Sequence, residues 1–188
     1  MIGGTENKLH KMANPDDLKK YFDSKEYLTK IIGAEADGSV PINEGLESTT
    51  IDESKISNLI SLLTDPVNKE FKEITLLTLK KEKGGNILLL AIASPKAKNV
   101  RPKLVAACWE SEINFSPYIS FFILLALDND YMVSMEAITV ISTMAGPFNN
   151  DVVKDAILKV KAAQKTVTTE KIVLLNDLID TLEGFVTI

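Results

Sequence analysis

Apolar stripes recur about every 33 residues along most of this chain, and that spacing constrains the fold more than any other feature. Val67, Phe71 and Ile74 form an i, i+4, i+7 stripe; Val100, Leu104 and Ala107 repeat it, and Val133, Ala137 and Val140 repeat it again. Ahead of each stripe stands an apolar pair: Ile56 with Leu59, Leu89 with Ile92, then Phe122 with Leu125. Spacings of three and four place residues on one side of a helix, so each unit reads as two helices. A fourth unit, with Ile157, Val160, Thr168, Ile172 and Leu175, arrives two residues late throughout, which puts one insertion near Gly146-Pro147. A single helical hairpin leaves its apolar stripe uncovered, and stacking neighbours buries it. The same spacing also suits a non-repetitive bundle of similar hairpins.

Breakers punctuate this pattern. Asp65-Pro66, Gly84-Gly85, Pro95, Pro117, Asp128-Asn129-Asp130 and Gly146-Pro147 predict helices over about 53–64, 66–82, 85–94, 99–111, 117–127, 131–145, 150–164 and 168–184. Short connections make antiparallel neighbours the expectation. The first fifty residues lie outside the repeat. Residues 1–13 read as a polar tail. Asn14-Pro15-Asp16-Asp17 then opens a helix over 14–33, since Asn caps, Pro fits the first turn and acids favour the positive helix end. Its apolar face holds Leu18, Tyr21, Phe22, Leu28, Ile31 and Ile32. Residues 34–51 form an acidic linker or loop, and 52–188 form the repeat domain.

Composition narrows the function classes. Hydrophobic residues at 45% and charged residues at 25% are the balance of a folded domain. A net charge of −5 argues against a generic nucleic-acid binder, which needs many cations to displace counterions. One cysteine, Cys108, excludes an internal disulfide framework and suits a reducing compartment. The longest apolar run, Ile119–Leu127, is far short of the roughly 20 residues of a membrane span. The polar Met1–Met12 stretch has no signal-peptide core. A cytoplasmic protein is the expectation.

The openings of the second helices carry a resemblance. Asp65-Pro66-Val67, Asn99-Val100-Arg101 and Asp130-Tyr131-Met132-Val133 through Ala137 resemble the turns of HEAT-like and armadillo-like repeats, over roughly residues 52–186. That resemblance implies an all-α fold, a right-handed α-solenoid of about four hairpins with 14–33 as an N-terminal capping helix, and a tendency to bind proteins. It carries over no catalytic residue. The sequence departs from the pattern in keeping the arginine only at Arg101 and in the bulky Phe71. HEAT-like folds also include DNA glycosylases, which resemble basic, aromatic-lined clamps; this acidic chain with one tryptophan does not.

Chemistry-bearing motifs are sparse. His10 falls in the tail and Cys108 on an apolar helix, so a Cys-His pair is not expected. Asp128-Asn129-Asp130 departs from a calcium loop, with Val133 where glycine belongs and Thr139 where the closing glutamate belongs. No phosphate loop, zinc-protease or serine-hydrolase motif occurs. We expect no cofactor, no metal and no enzyme.

Charge is the stronger lead. Lys80, Lys81, Lys83, Lys96, Lys98, Arg101 and Lys103 face only Glu82 within residues 80–103, whereas 34–53 carries six acids and no base. Stacked hairpins can gather these cations into one patch that docks an acidic partner segment; the other readings are two solvated loops, or a mate for the chain's own acidic linker. A second candidate is an apolar spot formed by Trp109 with Val105 and Ile138, beside Arg101; the other reading of Trp109 is burial by packing between units. The expectation is a non-catalytic interaction scaffold or adaptor. The alternative is a structural subunit that assembles through apolar helix faces into a homo-oligomer or larger complex.

Overall fold

The structure is a computed structural model that describes residues 53–64, 69–81, 84–128 and 130–186. The tail, the 14–33 helix and the 34–51 linker expected from sequence lie outside the described residues, as do His10, Val67 and Lys83. Among the described residues the fold is all-α, with no strand. Its helices are α1 (Glu53–Thr64), α2 (Lys69–Lys81), α3 (Gly85–Ala93), α4 (Arg101–Glu110), α5 (Ile119–Ala126), α6 (Tyr131–Ser142), α7 (Asn150–Ala163) and α8 (Thr169–Phe185).

Local chemistry sets the boundaries. Asp130 caps α6 by accepting the backbone N–H groups of Met132 (2.9 Å) and Val133 (3.1 Å), and Asn149 caps α7 in the same way through Asp151 and Val152. Two of the ends that differ from the sequence expectation have a clear local cause. Helix α5 starts at Ile119, because Ser116–Tyr118 forms a 3-10 turn in which Asn114 Oδ1 accepts from the Ser116 amide at 3.0 Å. Helix α6 stops at Ser142, ahead of the Gly146-Pro147 breaker. There the hydroxyls of Ser142 and Thr143 donate to the carbonyls of Thr139 and Val140, taking acceptors that another turn would use. Gly146, at φ 75°, takes the left-handed turn in the longer loop that follows.

Each hairpin packs within itself, α1 on α2, α3 on α4, α5 on α6 and α7 on α8. Successive hairpins then meet through α1 with α3 and α4, α4 with α6, α5 with α7, and α6 with α8. The first-helix columns fill the core: Leu59, Leu89, Ile92, Phe122, Leu125, Ile157 and Val160 are buried. Helices α3 and α5 are apolar almost all round and sit deepest. Phe122 meets Phe115 and Phe121 edge-on, with ring centroids 5.5 and 5.4 Å apart.

The second-helix column is also buried in α4, α6 and α8, through Leu104, Ala107, Val133, Ala137, Val140 and Leu175. Helix α2 breaks the register. Ile74, expected to face the core, is 52% exposed, and Leu77 beside it is 67% exposed. Leu79 is buried and Leu76 packs against the core instead. The cause is visible in the sequence of α2, which carries apolar residues on two sides: Leu76 with Leu79, and Ile74 with Leu77. One side is used inward and the other is left open.

Candidate functional site

The expected basic cluster divides between the two ends of α4. Lys96, Lys98, Arg101 and Lys103 gather at its N-terminal end. Ser94 accepts from the Lys96 amide and starts the 3-10 turn Pro95–Ala97, after which Arg101-Pro102-Lys103 opens α4 with no acidic residue in its first turn. Arg101 Nε folds back to donate to the Ile92 carbonyl at 3.1 Å, at the end of α3. Lys103 Nζ donates to the Thr64 carbonyl at 3.3 Å, the last residue of α1, and Lys96 Nζ reaches Ser57 Oγ at 3.1 Å. Two of these cations therefore settle on the negative, carbonyl ends of neighbouring helices. Lys98 is exposed. No ion pair joins Lys98, Arg101 or Lys103 to a carboxylate among the described residues.

Lys80 and Lys81 lie at the opposite end. Lys80 pairs with Glu112, just past the C-terminus of α4, and Lys72, two turns earlier, pairs with Glu110 at 2.6 Å. The ten residues of α4 separate the two groups by about 15 Å. Among the described residues, Lys80 and Lys81 thus stand apart from Lys96, Lys98, Arg101 and Lys103: residues close in sequence are carried to opposite ends by the intervening helices.

Around Lys80 the chain forms an open groove of about 490 Å³, lined by Lys80, Asn86, Glu112, Asn114, Phe115 and Tyr118 among others. Gly85 packs closely at its floor: a Cβ there would meet the Phe115 ring at 3.2 Å, so the ring would have to give by a few tenths of an ångström. Tyr118 donates its hydroxyl to Asn86 Oδ1. Glu112 has φ 54°, a left-handed conformation that costs a non-glycine residue energy. The hydrogen bond and charge of Lys80 hold the Glu112 carboxyl below its ordinary range. The groove is assembled from residues far apart in sequence. Its only signal was the Gly84-Gly85 pair facing the Asn114–Tyr118 turn.

The expected apolar spot is also corrected. Trp109 is 39% exposed and its Nε1 donates to Glu136 Oε2 on α6 at 2.9 Å. Val105 and Ile138, expected to lie open beside it, are only 0% and 8% exposed. Helix α4 packs on α1 and α3 from one side and on α6 from the other. Its buried arc therefore widens from Leu104 and Cys108 to include Val105, and Trp109 marks the edge of that arc.

The interior holds one more polar arrangement that the sequence did not signal. Lys171 on α8 is 6% exposed and donates to Ser134 Oγ on α6 at 2.8 Å. Burial pushes its ammonium pKa down, while Asp128 and Asp130 partly oppose the shift. The acidic turn that superficially suits a cation thus has the chain's own ammonium nearby. Cys108 is wholly buried, and burial pushes its thiol pKa well up, which suppresses the reactive thiolate. No cluster of potential metal ligands occurs among the described residues, and none of their helices is long and apolar enough to cross a membrane. Compared with known protein families, curated proteins and solved structures, the chain matches none.

Proposed function

We propose that this chain is a HEAT-like stack of helical hairpins that acts as a non-catalytic interaction module, docking an acidic partner segment on the N-terminal end of α4. One observation carries the reading. Lys98, Arg101 and Lys103 lie at a helix N-terminus and have no carboxylate partner among the described residues. Cations in the first turn oppose the helix dipole, at about 0.3–1 kcal/mol each. Capping of the α3 and α1 carbonyls offsets part of this cost for Arg101 and Lys103, and Lys98, two residues ahead of the Val100 N-cap, adds an exposed charge beside them. The residual positive potential suits a negatively charged ligand in a chain whose net charge is −5. The scaffold reading draws further support from hairpins that pack successively on one another.

Binding of a fluorescein-labelled glutamate-rich peptide tests the site. Wild-type affinity should fall steeply with added salt, and the Lys98→Glu/Lys103→Glu variant should bind at least tenfold more weakly. Equal binding by the variant, or binding indifferent to salt, removes the proposal.

A second reading has its own support. The outer hairpins expose large aliphatic side chains, Ile74 and Leu77 on α2, Leu158 on α7 and Val173 on α8. Such end faces suit a structural subunit that assembles with copies of itself or in a larger complex. Sedimentation at rising concentration separates the two readings, because apolar assembly persists in high salt where peptide docking fails.

A further inference from the structure

We infer that residues 14–33 of this same chain dock on the outward face of α2, centred on Ile74 and Leu77. The inference stands apart from the proposed acidic partner, since α2 exposes this face whatever binds at α4.

Three observations converge on it. First, the face is anomalous within the fold itself. The position of Ile74 recurs one unit on at Ala107, then at Val140 and Leu175, and all three of these are buried. Only in the first hairpin does the position face outward, at 52% exposure. Second, α2 has the composition of a helix covered on two sides. Leu79 and Leu76 pack inward, while Glu70, Ile74, Leu77 and Lys81 fall at i, i+4, i+7 and i+11 along the outer side. Two large aliphatic side chains flanked by charges of opposite sign make a short docking stripe. Helix α2 packs chiefly on α1, so no other helix of the described residues shields this side.

Third, the chain provides a suitable occupant at the right place. In α4, α6 and α8 the buried second-helix column is sheltered by an earlier hairpin. The cover for α2 must therefore come from before Glu53. The chain there offers one amphipathic stretch, with Leu18, Tyr21 and Phe22 in one cluster and Leu28, Ile31 and Ile32 in another. Its acidic and basic residues balance, so docking buries no net charge against Glu70 and Lys81. The linker 34–51 can span up to about 60 Å when extended, so reach sets no limit.

The test uses the full chain. p-Benzoylphenylalanine placed at position 77, an exposed site, is irradiated and the product is digested and mapped by mass spectrometry. A cross-link at monomer mass to a peptide within 14–33 is the expected result. A cross-link to a second copy would assign the face to a homodimer, and an absence of cross-links to 14–33 would leave it uncovered; either overturns the inference. The full-length Phe22→Asp/Ile31→Asp variant supplies an independent measurement, because it disables both apolar clusters without altering the hairpins. Hydrogen exchange of the α2 amides should become about tenfold faster in this variant. Exchange that does not change also overturns the inference.

Discussion

The ammonium of Lys171, in the first turn of α8, donates a 2.8 Å hydrogen bond to the hydroxyl of Ser134 on α6, and both residues are buried. Ser134 Oγ in turn lies 3.1 and 3.0 Å from the carbonyl oxygens of Asp128 and Asp130. The hydroxyl accepts from lysine and has one proton to give to a carbonyl, so a single serine links the last hairpin to the turn that starts α6. The arrangement joins two units through polar chemistry.

A buried ammonium is costly even when it is bonded, and replacing it by an apolar side chain of similar volume is often neutral or stabilising. Lys171 also sits at a helix N-terminus, where a cation is disfavoured. Lys171→Met should therefore raise the unfolding free energy, by about 1 kcal/mol or more. Ser134→Ala should act in the opposite direction, costing about 1–3 kcal/mol, because it leaves the ammonium buried without an acceptor. Urea unfolding of the two variants measures both. A Lys171→Met protein clearly less stable than wild type would mean that this pair contributes more than it costs.

The same lysine gives stability a pH dependence of definite sign. Its native pKa lies below the ordinary 10.5, so the charged form destabilises the native state. Below the native value both states hold the proton and the cost is constant. As pH climbs from there towards the unfolded value, the native state releases its proton first and stability rises. Wild type should thus gain stability on the alkaline side relative to Lys171→Met, measured as the difference between their urea midpoints. Parallel curves for the two proteins would contradict the assignment.

Glu112 combines two opposed local effects. Its left-handed backbone is strained, whereas its exposed pair with Lys80 contributes modestly. Glycine relieves the first at the expense of the second, and a β-branched residue worsens the first while losing the second. The melting temperatures should rank with Glu112→Gly at or above wild type and Glu112→Val below both. The lowered carboxyl pKa adds an acid limit: the pair's contribution is present above the ordinary glutamate range and disappears as pH falls through the lowered native value.

Among the described residues, the helices and several of their boundaries were legible in the sequence because local signals produce them. Asp130 and Asn149 act as caps that need only the next three residues, and Gly146 turns on its own backbone freedom. Orientation was less legible. Helix α2 has two apolar sides, and periodicity alone cannot say which of them meets the core; Ile74 matched the repeat yet faces outward. The surface was the least legible. Lys80 and Arg101 look like members of one basic segment, but their positions depend on where α3 and α4 deliver them. Lys171 gave no warning of burial, since its partner Ser134 lies 37 residues away.

Trp109 offers the most direct check on how α4 and α6 face each other, because it is the only tryptophan in the chain. Its ring is 39% exposed, while its indole N–H is held by the Glu136 carboxylate at 2.9 Å. Emission should lie between that of a buried and that of a solvated indole, and neutral acrylamide should quench it readily. Iodide should quench less well than acrylamide, since Glu136 places a negative charge beside the ring. Glu136→Gln should narrow the gap between the two quenchers with little shift in emission, because the amide oxygen can still accept the indole proton. Trp109→Phe should cost no more than about 1 kcal/mol, as a half-exposed ring loses little buried area and one exposed hydrogen bond. A strongly blue-shifted emission that both quenchers fail to reach would instead place the ring within the α4–α6 packing, and the edge position argued for Trp109 would be wrong.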